Sequence, residues 1–127
     1  MTEAPPATRP TPAELELLRV LWPIGPASVR QVHQAMQEDR ADVTYASVLR
    51  QMQIMHAKGL LTRDESERAH VYAPAQSQNK LQTSLLKELI YKAFSGSGKA
   101  LVMAALHKHV SQEEREEIRK FLHGDER

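Results

Sequence analysis

The chain has 127 residues, enough for one ordinary domain or for a small domain joined to an oligomerisation segment. Its ordinary apolar content and 26% charged residues describe a folded soluble protein, and the lack of cysteine excludes disulfides, thiolate chemistry and cysteine-based zinc or copper sites. Net charge is only +1, and residues 1–74 hold eight Lys/Arg against nine Asp/Glu, so any case for nucleic acid rests on where the cations sit.

Residues 1–10 carry three prolines and no apolar periodicity, which predicts a disordered tail. Thr11-Pro12-Ala13-Glu14 then starts a helix: threonine caps, proline takes the first turn, and Glu14 completes a capping box. Leu15, Leu18, Leu21 and Trp22 form its apolar stripe, and Pro23, Gly25 and Pro26 are expected to stop it. Ser28 and Gln31 make a second capping box, opening a short helix with Val29, Val32, Ala35 and Met36 inward. Residues 38–43 are a polar connection.

Thr44 caps a third helix, and Gly59 follows its last turn. Val48, Met52 and Met55 share one face of it; Ala46, Arg50, Gln53 and Ala57 share the other, with Ser47 and Ile54 on one flank and Leu49 on the other. Leu60 to Arg63 and Ala69 to Tyr72 read as short strands around a tip at 64–68, with Val71 and the strand-end leucines inward and Arg63, Arg68 and His70 wet. After Pro74, Ser77 to Phe94 is a long amphipathic helix carrying Leu81, Leu85, Leu86, Leu89, Ile90 and Phe94. Ser95 to Gly98 breaks it. Leu101, Val102, Leu106 and Val110 mark a fifth helix. Ser111 and Glu114 box the start of a sixth, with Ile118, Phe121 and Leu122, which closes near Gly124.

The predicted fold is mainly α with a small β-hairpin: a winged helix-turn-helix at 11–74, then a helical segment at 75–124. Each of the last three helices offers only a narrow apolar stripe, too little to close a core alone. Packing against a second copy supplies the missing side, with Leu81, Leu85, Leu89, Leu101, Leu106, Ile118, Phe121 and Leu122 as the dimerisation set. A single-chain extension folding back on the first unit is the alternative.

A helix that enters a groove needs small residues where its backbone approaches the bases. Ala46 and Ser47 meet that need; Arg50 suits guanine and Gln53 suits adenine. Thr44 and Tyr45 can donate to a phosphate at the helix start, and Lys58, Arg63, Arg68 and His70 can add phosphate or minor-groove contacts. The same pattern also suits an ordinary surface helix, and Arg63 and Arg68 beside Asp64, Glu65 and Glu67 also suit a solvated turn. Enzymatic features are missing. Glu113, Glu114, Glu116 and Glu117 are a solvated face, Gly96-Ser-Gly98-Lys99 lacks the spacing of a phosphate loop, and His107 and His109 do not share a helix face. No metal and no cofactor is expected. No apolar run approaches the roughly 18–20 residues of a membrane span, so no membrane insertion is expected either.

Taken together, TPAELELLRVLW, SVRQVHQAM, TYASVLRQMQIMHAKGLL, RAHVYAP, KALVMAAL and SQEEREEIRKFL, in that order and spacing, resemble the penicillinase-repressor family (BlaI/MecI type) over about residues 11–122. The resemblance implies a cytoplasmic homodimeric transcriptional repressor on a palindromic double-stranded DNA operator, with β-lactam resistance genes among family targets. It puts the DNA-facing positions at Tyr45, Ala46, Ser47, Arg50, Gln53 and Ile54; many relatives have arginine where this chain has Ile54. It also implies derepression by a membrane-bound sensor metalloprotease that cuts within the C-terminal helices. The Asn-Phe bond cut in staphylococcal members corresponds here to Ala104-Ala105. The copper-responsive branch uses C-terminal cysteines, which this chain lacks. Two other classes stay open: a regulator released from DNA by a small molecule held near Tyr91, Phe94 and Met103, and a winged helix that binds a partner protein.

Overall fold

The computed structural model describes residues 9–124; residues 1–8 of the expected tail lie outside the described residues, while Pro10 is already buried. The elements run α1 Pro12–Ile24, α2 Val29–Gln37, α3 Tyr45–Ala57, β1 Leu61–Asp64, β2 Val71–Pro74, α4 Gln78–Ala93, α5 Gly98–Lys108 and α6 Gln112–Gly124. The chain divides into two compact units, one ending at Leu81 and one starting at Gln82. The first unit therefore takes in the first turn of α4 and extends beyond the expected boundary at Pro74.

Local chemistry sets most helix starts. All three predicted capping boxes are formed. Thr11 N–H donates to Glu14 Oε1 at 2.9 Å and Glu14 N–H to Thr11 Oγ1 at 3.1 Å. Ser28 with Gln31, and Ser111 with Glu114, repeat the exchange. Pro23 does not stop α1 as expected but sits in its last turn. It lacks one N–H near a helix end, and the Gly25 N–H still closes the turn on Leu21 O at 2.9 Å. Gly25 takes a φ of 77°, where a side chain would be strained.

The first unit owns the core. Leu17, Leu18 and Leu21 of α1, Val29, Val32 and Met36 of α2, and Val48, Met52 and Met55 of α3 are buried together with Leu60, Leu61 and Tyr72. Leu17, and not the predicted Leu15, completes the inner stripe of α1; Leu15 is half-buried. The hairpin is antiparallel, with Leu61 opposite Pro74 and Arg63 opposite Tyr72. Both strands start later than predicted, and the inward phase of β2 is reversed: Tyr72 is 2% exposed while Val71 is half-buried. The reason is a third partner. Ala27 and Tyr72 exchange both backbone hydrogen bonds, at 2.9 and 2.8 Å, so β2 is held between β1 and the residue before the α2 cap. That pairing turns the Tyr72 ring inward. On the other side of the unit, the Trp22 indole N–H donates to Gln76 O at 3.0 Å and ties α1 to the segment after β2.

In the second unit, α5 and α6 bury no residue, and α4 buries only Leu81, which belongs to the first unit. Ser95 and Gly96 both take positive φ, 52° and 83°, and reverse the chain after α4. Ser97 then caps α5 by accepting from Ala100 N–H at 3.0 Å. Arg115 of α6 donates to Leu106 O of α5. Leu86, Leu89, Tyr91, Val102, Met103, Phe121 and Leu122 all stay exposed. No helix among the described residues is long and apolar enough to cross a membrane.

Candidate nucleic-acid interface

Helices α2 and α3 form a helix-turn-helix whose turn is locked by His33. Its Nε2 lies 2.9 Å from Val43 O, and a carbonyl can only accept, so that nitrogen carries the proton. The same ring meets Tyr45, the first residue of α3, edge-on at 5.9 Å. Thr44 accepts from Ser47 N–H at 3.1 Å, which leaves its own hydroxyl proton able to donate. Ser47 gives its hydroxyl proton to Thr44 O at 2.9 Å and keeps only acceptor capacity outward.

The core of α3 is set by Val48, Met52 and Met55, and that fixes what faces out. Tyr45, Ala46, Ser47, Arg50, Gln53, Ile54 and Ala57 are all exposed. Neither α2 nor α3 contains a carboxylate, although the first 74 residues are net acidic. Among the described residues, Glu14 and Glu16 lie in α1, Glu38, Asp39 and Asp42 in the α2–α3 connection, and Asp64, Glu65 and Glu67 at the hairpin tip. The outward side of α3 is therefore a carboxylate-free face with one fixed cation, Arg50.

A cleft of about 540 Å³ opens beside this face. Arg30 of α2, Tyr45, Leu49 and Gln53 of α3, and Arg68 and His70 of the hairpin loop line it. The structure thus brings four of the predicted residues, Tyr45, Gln53, Arg68 and His70, to one place. Arg30 belongs with them and was not singled out from the sequence. The available signal was the pairing of Ala27 with the hairpin, which carries the start of α2 toward the wing; nothing local announces it.

Two of the residues expected to contact phosphate, Lys58 and Arg63, are paired with carboxylates in the folded chain. Lys58 does not offer a free ammonium: its Nζ donates to both Glu14 carboxylate oxygens, at 2.9 and 2.8 Å. Glu14 is 5% exposed, so the pair is largely shielded from water. Burial pushes the Glu14 carboxyl up, but hydrogen bonds from Lys58 and Thr11 and the Lys58 charge outweigh that and hold it below its ordinary range. Arg63 is also engaged. Its Nε and Nη2 lie 2.6 Å from Glu65 Oε2, and its guanidinium stands 5.9 Å from the Tyr72 ring centroid. Contacts to Tyr72 and then Glu65 raise the Arg63 pKa; Arg63 in turn lowers that of Glu65. At the tip, the Ser66 N–H bonds Asp64 Oδ1 at 2.9 Å and lowers the Asp64 pKa.

A family model described as Penicillinase repressor matches residues 10–124. The chain belongs to the penicillinase repressor family. Two relatives, the transcriptional regulators BlaI of Mycobacterium tuberculosis strains CDC 1551 / Oshkosh and ATCC 25618 / H37Rv, are each 28% identical over 116 residues, covering 91% of this chain and 83% of the relative. As a penicillinase repressor family member, the protein is a DNA-binding transcriptional repressor and not an enzyme. The family match spans both units, so the exposed apolar positions of α4, α5 and α6 lie within it.

Among the expected dimerisation residues, Leu85, Leu101, Leu106 and Ile118 are half-buried, while Leu89, Phe121 and Leu122 are exposed. Leu81, also in the expected set, is buried in the first unit against a small cavity shared with Leu18, Trp22 and Leu60, so it anchors α4 there. Its position in the first turn of α4 puts it within reach of that core, whereas the positions from Leu85 onward belong to the second unit. Ala104 and Ala105 lie inside α5, in regular helix. Tyr91 and Met103, expected to line a ligand pocket, are 67% and 57% exposed.

Proposed function

We propose that the protein is a cytoplasmic homodimeric repressor that reads a palindromic operator through α3. The carboxylate-free outward face of α3 carries this reading. Arg50 and Gln53 are the base-reading side chains, for guanine and adenine respectively. Ala46 and Ser47 let the helix backbone approach, and Ile54 offers an apolar contact to a thymine methyl. Thr44 and Tyr45 hold a phosphate at the start of the helix.

The dimer is carried by the second unit. Its large exposed apolar side chains, with Phe121 and Leu122 more than 60% exposed, would leave a patch that solitary soluble chains rarely present. A second copy covers it and places two reading helices about 10 base pairs apart on successive major grooves. Linking two weak half-site contacts makes each support the other, so loss of the dimer means loss of the operator. Derepression follows the same logic: a sensor metalloprotease cuts within the C-terminal helices and weakens the pairing. Ala104-Ala105 is the place for that cut, and α5 must unwind locally to present it in extended form.

The test combines an electrophoretic shift on promoter DNA of the protein's own gene, at two salt concentrations, with light scattering. The expected result is a dimer at micromolar concentration and a specific shift that weakens with salt. A strict monomer, or no shift at low salt, overturns the proposal.

A further inference from the structure

We infer that Arg30 and Arg68 grip the same stretch of DNA backbone from two sides of the cleft beside α3, which makes Arg30 a phosphate-binding residue of the repressor. This rests on the proposal that α3 reads duplex DNA. The two arginines come from different elements, the first turn of α2 and the hairpin loop, and they line one cleft. The Ala27–Tyr72 backbone exchange holds those elements together, so the spacing between the two cations is built into the fold.

Three observations favour a backbone phosphate. No carboxylate lines the cleft. Both arginines are exposed, and neither is paired with a carboxylate among the described residues. Arg63 and Lys58, two other cations near Arg68 in sequence, are already held by Glu65 and Glu14. Gln53 stands on the α3 wall of the same cleft. A strand whose backbone enters the cleft is therefore the strand beside the bases that α3 faces. His70, at the hairpin wall, adds a further donor. A guanidinium fork suits a phosphate better than an ammonium does, because two parallel N–H groups match two oxygens. Such contacts position the protein and carry no sequence information themselves.

The test measures binding of the full-length protein to its operator and to random duplex DNA across a salt series. The variants are Arg30→Gln, Arg68→Gln and the double variant, with melting temperature recorded for each. Each single variant is expected to weaken both DNAs by the same factor, to make the salt slope shallower by about 0.9, and to leave melting unchanged. The double variant should lose about twice that slope. An unchanged slope in Arg30→Gln, with wild-type operator binding intact, overturns the inference alone. Loss confined to the operator assigns Arg30 to a base and also overturns it. Absence of any binding by the wild type overturns both the inference and the function on which it rests.

Discussion

Lys58, one residue past the end of α3, closes a double hydrogen bond on Glu14 in the first turn of α1, at 2.9 and 2.8 Å across 44 residues. Glu14 Oε1 also accepts from the Thr11 N–H at 2.9 Å. One carboxylate thus completes the cap of α1 and holds the end of α3. Helix position and cap stability are coupled through it.

The pair makes stability depend on pH in a defined direction. The Glu14 carboxyl is held below its ordinary value of 4.5, so the native state binds its proton less readily than the unfolded chain does. Its contribution is full above that value and is lost as pH falls through the folded pKa. Glu14→Gln keeps the capping acceptor and removes the charge. It should cost about 1–3 kcal/mol near neutral pH, and the difference from wild type should shrink at acid pH. Lys58→Met should cost more, because it leaves a shielded carboxylate unpaired, whereas the Lys58 side chain is 27% exposed and can reach water. Urea unfolding of both variants between pH 3 and 7 checks the order and the slope; a pH-independent difference contradicts it.

The reversed phase of β2 can be tested by substitution. Tyr72→Ala should destabilise the first unit by about 3–5 kcal/mol, the usual cost of deleting a buried ring. Val71→Ala, at a half-buried position, should cost under about 1 kcal/mol. Equal losses in chemical denaturation would contradict the inward tyrosine.

Arg50→Ala should reduce operator affinity by about 1–3 kcal/mol and relax preference at one operator position. Arg50 is exposed on α3 with no carboxylate on its helix, so folding should be unaffected. Fluorescence anisotropy on operator variants and on random DNA reads this out. An equal loss on both DNAs would show that Arg50 touches only phosphate.

Phe121→Glu should shift the protein toward monomer and weaken operator binding, without changing the melting of the first unit. Leu81→Ala should do the reverse, lowering stability by about 2–4 kcal/mol while leaving the dimer formed. Light scattering and thermal melting separate the two. Dissociation by Leu81→Ala in a chain that remains folded would return Leu81 to the dimer interface.

Much of the fold was legible because its signals are local. The pairs Thr11–Glu14, Ser28–Gln31 and Ser111–Glu114 each meet within one turn, and all three boxes form. The outward face of α3 was legible too, since Val48, Met52 and Met55 recur at helical spacing and leave Arg50 and Gln53 outside. The hairpin phase was not. Val71 and Tyr72 are both good strand residues, and the choice between them lies with Ala27, far back in the chain.

What the sequence determined by itself is what neighbours within four residues decide: where helices begin, which side chains share a face, and which family the pattern resembles. The tertiary structure alone decided that Lys58 is held. Lys58 looks like Arg30 and Arg68 in a string of letters, but packing brings Glu14 to it across 44 residues, whereas the Glu65 partner of Arg63 stands two residues away in the sequence. A cation's use depends on the carboxylates within about 4 Å of it, and for Lys58 that distance is set by how α1 and α3 pack.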